Sequence, residues 1–507
     1  MGRINTNVQS LVGQRVLNWN NRQLDTALER LSTGVKINRG KDDPAGLIAS
    51  ENLRSEQKAL NQAITNADRA DQVVNIAEGG LGEITSLLTE MQGLLTNTAS
   101  TAGLSDEEKA ANQLQVDSIL QTIDRVASAT NFQGIKLLNG NFDFKTSGVA
   151  SGVADFRVNG AKFTGSSLDV NMQVTASAQQ AGMFLSMGAA SLSLGGSATD
   201  KLVLEVAGSK GSRELEFSST TTLASITDTI NTFSDVTGVQ ATVSGTGIVL
   251  KSSEFGANEF VTVKVVDDGG IAGASSGIHQ LNATNNNAAV AGTQTEFASA
   301  SNGVTDKGQN IGATINGIRA VADGKTARIN TDFLDVEITL TTAESQALGN
   351  VGSGSNPAFT ITGGGASFQL SGKVDINGRV ALGIQDVAAR KLGNSSIGFL
   401  DSLANGKTNN VIDGNITDAQ KIVTEGLKQV TALRGRLGAF QKNTIGATIR
   451  SLGISVENTA AAQSVIRDAD FATETAALTR SQILVSASTN VLSMANQQPN
   501  AALQLLG

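Results

Sequence analysis

The sequence predicts an α+β multidomain chain: a long α-helical coiled-coil core formed by both termini, with β-rich outer lobes inserted in the middle. Three observations lead there. Apolar residues recur at heptad spacing near both ends of the chain. The stretch of roughly 141–405 instead alternates apolar and polar residues and is rich in Gly, Ser, Thr and Asn. The final stretch, "SQILVSASTNVLSMANQQPNAALQLLG" from Ser481 to Gly507, carries no charged side chain, yet it is too polar to cross a membrane.

Near the N-terminus, Leu17, Leu24, Leu28, Leu31 and Val35 keep heptad steps. The sharpest seam follows: Leu53, Leu60, Ala67, Val74, Leu81, Leu88 and Leu95, with Ala63, Ala70, Ala77, Ile84 and Met91 at the second seam position. A register held that long favours a coiled-coil seam over an ordinary amphipathic helix. From Leu53 to Leu95 the helix spans roughly 65 Å at 1.5 Å per residue. In "KDDPAGL", Asp43 suits the cap and Pro44 the first helical position. Gly79, Gly80, Gly82 and Gly93 each cost about 1 kcal/mol relative to Ala, which close packing of a neighbouring helix would offset. Ser105 and Glu108 form a capping-box pair before a helix carrying Val116, Leu120, Ile123 and Ala127, which ends near Gly134.

The C-terminal part answers in kind. Thr417 and Gln420 are a second capping-box candidate, and Ile416, Val423, Val430 and Leu437 step by sevens. After "LGISVEN" a last helix carries Phe471, Leu478, Val485 and Leu492 in heptad steps, with Ala477, Leu484 and Val491 beside them. A monomeric helical bundle shows the same periodicity. The tail argues against it, because monomer surfaces carry interspersed charges. An uncharged polar surface suits a place where identical subunits crowd together.

In the middle, "KLVLEVAG" and "FLDVEITLTT" read as strands, the second with Leu334, Val336, Ile338 and Leu340 on one face. "VQATVSGTGIVLKSS" reads as a hairpin turning at Gly245 and Gly247. "TLASITDTINTF" reads as a short helix presenting Ile226, Ile230 and Phe233. "NNNAAVAGTQ" and "NVGSGSNPAFTITGGGAS" read as loops. At least two small lobes are expected here.

Composition narrows the chemistry. The chain has 507 residues and a net charge of −8, which disfavours a nucleic-acid partner. Cysteine is absent and His279 is the only histidine, so no disulfide, thiolate nucleophile, His-based triad or zinc-protease motif can be assembled. His279 reads as a solvated side chain in a polar loop. Asp267 and Asp268 lack EF-hand spacing, and "ITGGGAS" lacks the Lys-Ser/Thr of a phosphate loop. No catalytic, cofactor or metal site is expected. The N-terminal stretch has no signal-peptide apolar core and no segment is apolar enough to span a bilayer, so no membrane insertion is expected.

Longer motifs are specific. "LSTGVKINRGKDDPAGLIASENLRSEQKALNQAITNADRADQVVNIAEGGLGEI" and "VASATNFQGIKLLNG" resemble the N-terminal signature of bacterial flagellin. "ALRGRLGAFQKNTI" and "ENTAAAQSVIRDADFATETAALTRSQILVSASTNVLSMANQQPNAALQLLG" resemble its C-terminal signature. "STTTLASITDTINTFSDVTGVQATVSGTGIVLKSS" is similar to a repeat of flagellin and filament-cap outer domains, and "ATINGIRA" to a weaker trace of it.

The resemblance implies a structural subunit, not an enzyme, that polymerises into the extracellular flagellar filament for swimming motility. It implies terminal helices, disordered in the free subunit, that pair as coiled coils around a central channel. The implied division is 1–42, an inner-core helix pairing with 455–507; 43–180 and 376–454, the two halves of a helical shell; and 181–375, the outer lobes. Implied partners are further copies of the chain, the flagellar export apparatus, a secretion chaperone, the filament cap and the hook-junction proteins. Export without a cleaved signal fits the missing apolar core. In receptor-activating relatives the helix matching "TEMQGLLTN" carries an arginine and an adjacent leucine. Here Leu94 fits, but Glu90 stands at the arginine position and Gly93 replaces an acidic residue, so weak innate-receptor activation is expected. A hook–filament junction protein shares the terminal architecture. A secreted coiled-coil adhesin would need no paired termini.

Overall fold

The computed structural model describes residues 6–100, 103–163, 165–195, 200–271, 276–281, 288–352 and 356–504. Parts of the expected loops, at 285–287 and 353–355, lie outside the described residues, as do 1–5 and 505–507. The α-helices among the described residues are α1 Val8–Thr33, α2 Pro44–Thr98, α3 Asp106–Ala129, α4 Leu223–Thr232, α5 Ser234–Thr237, α6 Thr342–Gln346, α7 Ile416–Ala439, α8 Gly446–Arg467 and α9 Phe471–Gln504. Strands fill the interval between α3 and α7.

Local chemistry explains the helix boundaries. Asp43 accepts the Gly46 N–H at 3.0 Å and starts α2, with Pro44 as its first residue. Ser105 and Glu108 make both bonds of a capping box at α3. At α7 the cap is Asn415, whose side-chain oxygen accepts from Thr417 at 3.1 Å and Asp418 at 3.4 Å. Thr417 and Gln420 therefore lie inside the helix, because an upstream Asx oxygen already serves the first turn. A π-helical segment, Phe440–Ile445, joins α7 to α8, and α8 runs straight through "LGISVEN". The break falls later, at Asp468, whose extended backbone pairs with Val35.

Contacts divide the chain into two compact units: Met1–Val74, Phe368–Arg379 and Gly438–Gly507 in one, Asn75–Ser367 and Val380–Leu437 in the other. The second unit has the larger cores. Its helical part buries Leu81, Ile84, Leu88, Met91 and Leu95 of α2, Val116, Leu120 and Ile123 of α3, and Ile422, Val423, Val430 and Leu437 of α7. Arg434 of α7 donates two bonds to Glu78 of α2, at 3.0 and 2.8 Å. Buried Gln113 of α3 donates to the Leu403 carbonyl at 3.0 Å and accepts the Val411 N–H at 2.8 Å.

Two β-lobes complete this unit. The first buries Val170, Met172, Ile315, Val336, Ile338, Leu340 and Phe359 in one cluster. The strand Leu334–Leu340 lies between Thr326–Asn330 and Val153–Ala161, and all four residues expected on its inner face are buried. The second lobe has two four-stranded sheets around Leu185, Leu204, Ile226, Ile230, Leu250 and Val263. Its hairpin pairs Val239–Ser244 with Gly247–Ser252; Gly245 takes the positive φ of 60° while Gly247 already pairs with Ser244. Asn310 joins the lobes: it accepts from Ala257 at 2.8 Å and Gly324 at 3.0 Å and donates to the Ala322 carbonyl at 2.9 Å.

Two sequence expectations change in the lobes. "NPAFTITGGGAS" is not loop throughout, since Phe359–Gly364 is a strand flanked by Phe144–Ser147 and Leu168–Val170. Phe359 and Ile361 point inward and are fully buried, and the glycines follow only after a register shift. His279 is not in a loop: it sits half-buried on the strand Gly277–Gln280 opposite Phe184, with ring centroids 6.4 Å apart. Its place opposite an aromatic residue is that of a sheet-packing side chain.

The four glycines in the second half of α2 differ. A Cβ on Gly80 would lie 2.6 Å from the Thr130 hydroxyl and 2.8 Å from a methyl of Leu138, which is fully buried. Nothing lies within 4 Å of the corresponding atom on Gly79, Gly82 or Gly93. G80A is therefore expected to destabilise the free chain by about 1–3 kcal/mol through overpacking. G79A and G82A should instead stabilise it by up to about 1 kcal/mol. Denaturant midpoints of the purified subunit distinguish the two.

Candidate assembly interface

In the first unit α1 and α9 run antiparallel. The Asn7 amide donates to the Ala495 carbonyl at 2.7 Å, Asn20 donates to the Ser488 hydroxyl at 2.7 Å, and Arg30 pairs with Glu474 at 3.1 Å. Each helix is fixed by its own ends. Asn7 caps α1 by accepting the Ser10 N–H, and Gly34, at φ 73°, closes it with its N–H on the Arg30 carbonyl. Asp470 starts α9, accepting from Ala472 N–H at 2.9 Å and from the Thr473 hydroxyl at 2.7 Å. The chain at Gly34–Lys36 is tied to the α8–α9 junction by Lys36 N–H to Arg467 carbonyl and Ala469 N–H to Gly34 carbonyl bonds.

The residues buried between these helices are small or polar: Ser10, Gly13, Asn20 and Ala27 on α1, Ser481 and Ala495 on α9. Leu17, Leu24 and Leu31, with Leu478, Val485 and Leu492, are only half-buried. Large apolar side chains face away. Trp19 is 58% exposed, Ile483 64% and Met494 61%, and Val8, Leu11, Val12, Leu484 and Val491 are also exposed. Leu28 and Phe471 are exposed too, at 46% and 60%. Among the other seam residues, Leu53 and Leu60 are half-buried and Val74 buried in the first unit. Leu81, Leu88, Leu95, Val423, Val430 and Leu437 are buried within the second unit. Glu90 is exposed and Leu94 half-buried.

Sequence reading by apolar period passed over Asn20, Ser481 and Ser488. A usable signal was position: Asn20 falls between Leu17 and Leu24 at the second seam position.

Electrostatics at this unit are local. The Thr473 hydroxyl, with the Ala472 and Thr473 N–H groups, holds the Asp470 carboxyl below its usual range. The Arg467 guanidinium does the same for Glu51, tying the end of α8 to the start of α2 at 2.6 Å. Backbone N–H groups of Arg39 and Asn38 lower Asp42 in the turn before α2.

Three matches follow from comparison with known families. A model described as the bacterial flagellin N-terminal helical region matches residues 4–143, and one described as the bacterial flagellin C-terminal helical region matches 420–506. The flagellin hook IN motif matches 201–254, inside the second lobe. The chain belongs to the bacterial flagellin family.

It is similar over its full length to named flagellins. Flagellin B of Vibrio cholerae serotype O1 is 28% identical over 505 residues, and the B-type flagellin of Pseudomonas aeruginosa 29% over 566, each alignment covering 99% of both chains. A crystal structure of Xanthomonas campestris FlgL covers 80% of this chain and 98% of that one, at 11% identity and a TM-score of 0.26; a likeness of that size adds nothing to the assignment. This flagellin is a structural subunit of the extracellular flagellar filament, serving motility. No helix among its described residues is long and apolar enough to cross a membrane.

The lowered carboxyls set an acid limit. A carboxyl whose folded pKa is depressed stabilises the fold above its ordinary pKa and loses that contribution as pH falls through the folded value. The first turn of α9 is expected to hold from neutral pH to below the ordinary aspartate value of 3.8 and then to fray. D470N should remove that transition in a circular-dichroism titration of filaments.

Proposed function

We propose that the α1–α9 pair is the polymerisation element of this flagellin and that neighbouring copies cover its outer face. One observation carries this reading: the residues the pair buries fully are small or polar, while Trp19, Ile483, Val491 and Met494 stay exposed. That arrangement is inverted for a free-standing helical hairpin. Covering a side chain such as Ile483 or Trp19 contributes about 1.5–3 kcal/mol. The charge-free stretch from Ser481 supports a surface repeated at close quarters.

On this reading the paired termini, 1–42 with 455–507, line a central export channel. Segments 43–180 and 376–454 form the surrounding shell, and 181–375 projects outward. The subunit travels through the flagellar export apparatus, with a secretion chaperone, and is placed beneath the cap on a base of hook-junction proteins. It carries no catalytic activity of its own.

Seeded elongation tests the interface. V491E and W19E should slow growth from filament fragments at least tenfold, while the melting of the second unit stays unchanged. A chain ending at Arg480 should not elongate at all. Native growth rates in V491E and W19E would overturn the reading.

The surface at Glu90 gives a separate expectation. A carboxylate at the position of a recognition arginine reverses the local charge, so purified monomer should activate the innate receptor weakly. Substituting E90R should raise the response in a reporter assay.

A further inference from the structure

Asn20 is 3% exposed and sits near the middle of the α1–α9 seam. Its amide donates to the Ser488 hydroxyl at 2.7 Å and reaches the Leu484 carbonyl at 3.4 Å. Leu17 and Leu24 flank it one helical step away on the same face, and Leu484 and Ser488 lie a turn apart on α9. An aliphatic residue here would make α1's inner stripe continuous. Gly13 weakens the same face: its Cβ position is 3.1 Å from a Leu492 methyl, so the leucine fills space that a side chain on α1 would occupy. Ser10, Ser481 and Ser488 add no apolar area.

We infer that Asn20 is a brake on self-association, holding the α1–α9 pair below independent stability so that its apolar outer face is not presented until a filament end covers it. The inference rests on the assembly reading above. A buried asparagine in a helical seam specifies one arrangement at a cost in stability, and an aliphatic replacement relieves that cost. Asn20 and Ser488 satisfy each other once paired, so the finished pair has no unmet amide at this point. In the separated helices the same amide is solvated and loses nothing. Polar matching thus makes pairing specific without making it strong.

The chain supplies its own reporter. Trp19 is the only tryptophan, lies next to Asn20 and is exposed in the single subunit. Its fluorescence therefore reads coverage of the outer face of α1.

N20L is the test, in the full-length chain at equal concentration without seeds. The expected result is higher free-subunit helicity and a lag before polymerisation shortened at least tenfold. S488A should lengthen the lag in the native background, because it deprives the buried amide of its good acceptor, and should change nothing in the N20L background. An unchanged or longer lag in N20L, or additive effects of the two substitutions, would overturn the inference. If N20L aggregates instead of forming filaments, S488A alone decides: an unchanged or shortened lag sinks the brake. Failure of the assembly reading shows separately, as native filaments whose Trp19 emission does not shift to the blue on growth.

Discussion

Between α1 and α9 there is little for the hydrophobic effect to act on. Fixing each backbone residue costs about 1–2 kcal/mol, while a fully buried leucine or valine returns about 1.5–3 kcal/mol. The positions that are fully buried here are Ser10, Gly13, Asn20, Ala27, Ser481 and Ala495, which return least. The pair's stability is therefore coupled to whatever covers Trp19, Ile483, Val491 and Met494. Anything that binds the ordered form and not the disordered one stabilises it by mass action. In a homopolymer that ligand is the chain itself, and order at the termini becomes a function of subunit concentration and of available ends.

The second unit obeys the opposite rule. Leu81, Leu88 and Leu95 belong to the same heptad series as Leu53 and Leu60, yet they are fully buried within one chain. Arg434 donates to one oxygen of Glu78, and Gln113 donates to the Leu403 carbonyl and accepts from Val411, so polar side chains as well as leucines tie these helices and the segment before α7 together. Beyond the helices, the three bonds of Asn310 link a loop of one β-lobe to a hairpin of the other. Sequence periodicity alone treats both halves of α2 alike. Burial separates the half that packs on its own chain from the half that keeps its leucines partly open.

That difference sets what could be read from the sequence. Helix existence is legible, because Leu and Val at heptad steps signal through their size. The strand Leu334–Leu340, the hairpin 239–252 and the amphipathic α4 were legible for the same reason at their own periods. Polar seam positions were silent, so Asn20 and Ser488 went unread although Asn20 falls between two seam leucines. The strand Phe359–Gly364 was hidden by the three glycines that end it, whose turn chemistry outweighed the two buried residues before them. The sequence places the helix break too early because "LGISVEN" looks weak, whereas the real break is held by tertiary bonds from Gly34–Lys36. Such bonds leave no local trace.

The missing charge of the tail follows from the same geometry. On the proposed assembly, a side chain on the outer face of α9 meets its own copies at every helical step of a filament. An ion there would be desolvated beside like ions, and an unpaired buried charge costs far more than a buried hydroxyl or amide. Ser, Thr, Asn and Gln can be covered if a neighbour offers one hydrogen bond. The ion pair between α1 and α9 among the described residues, Arg30–Glu474, lies near the foot of the pair, before the charge-free stretch begins at Ser481. On α9 charge is thus confined to the segment before Ser481. The rest of α9 is left to groups that tolerate repetition.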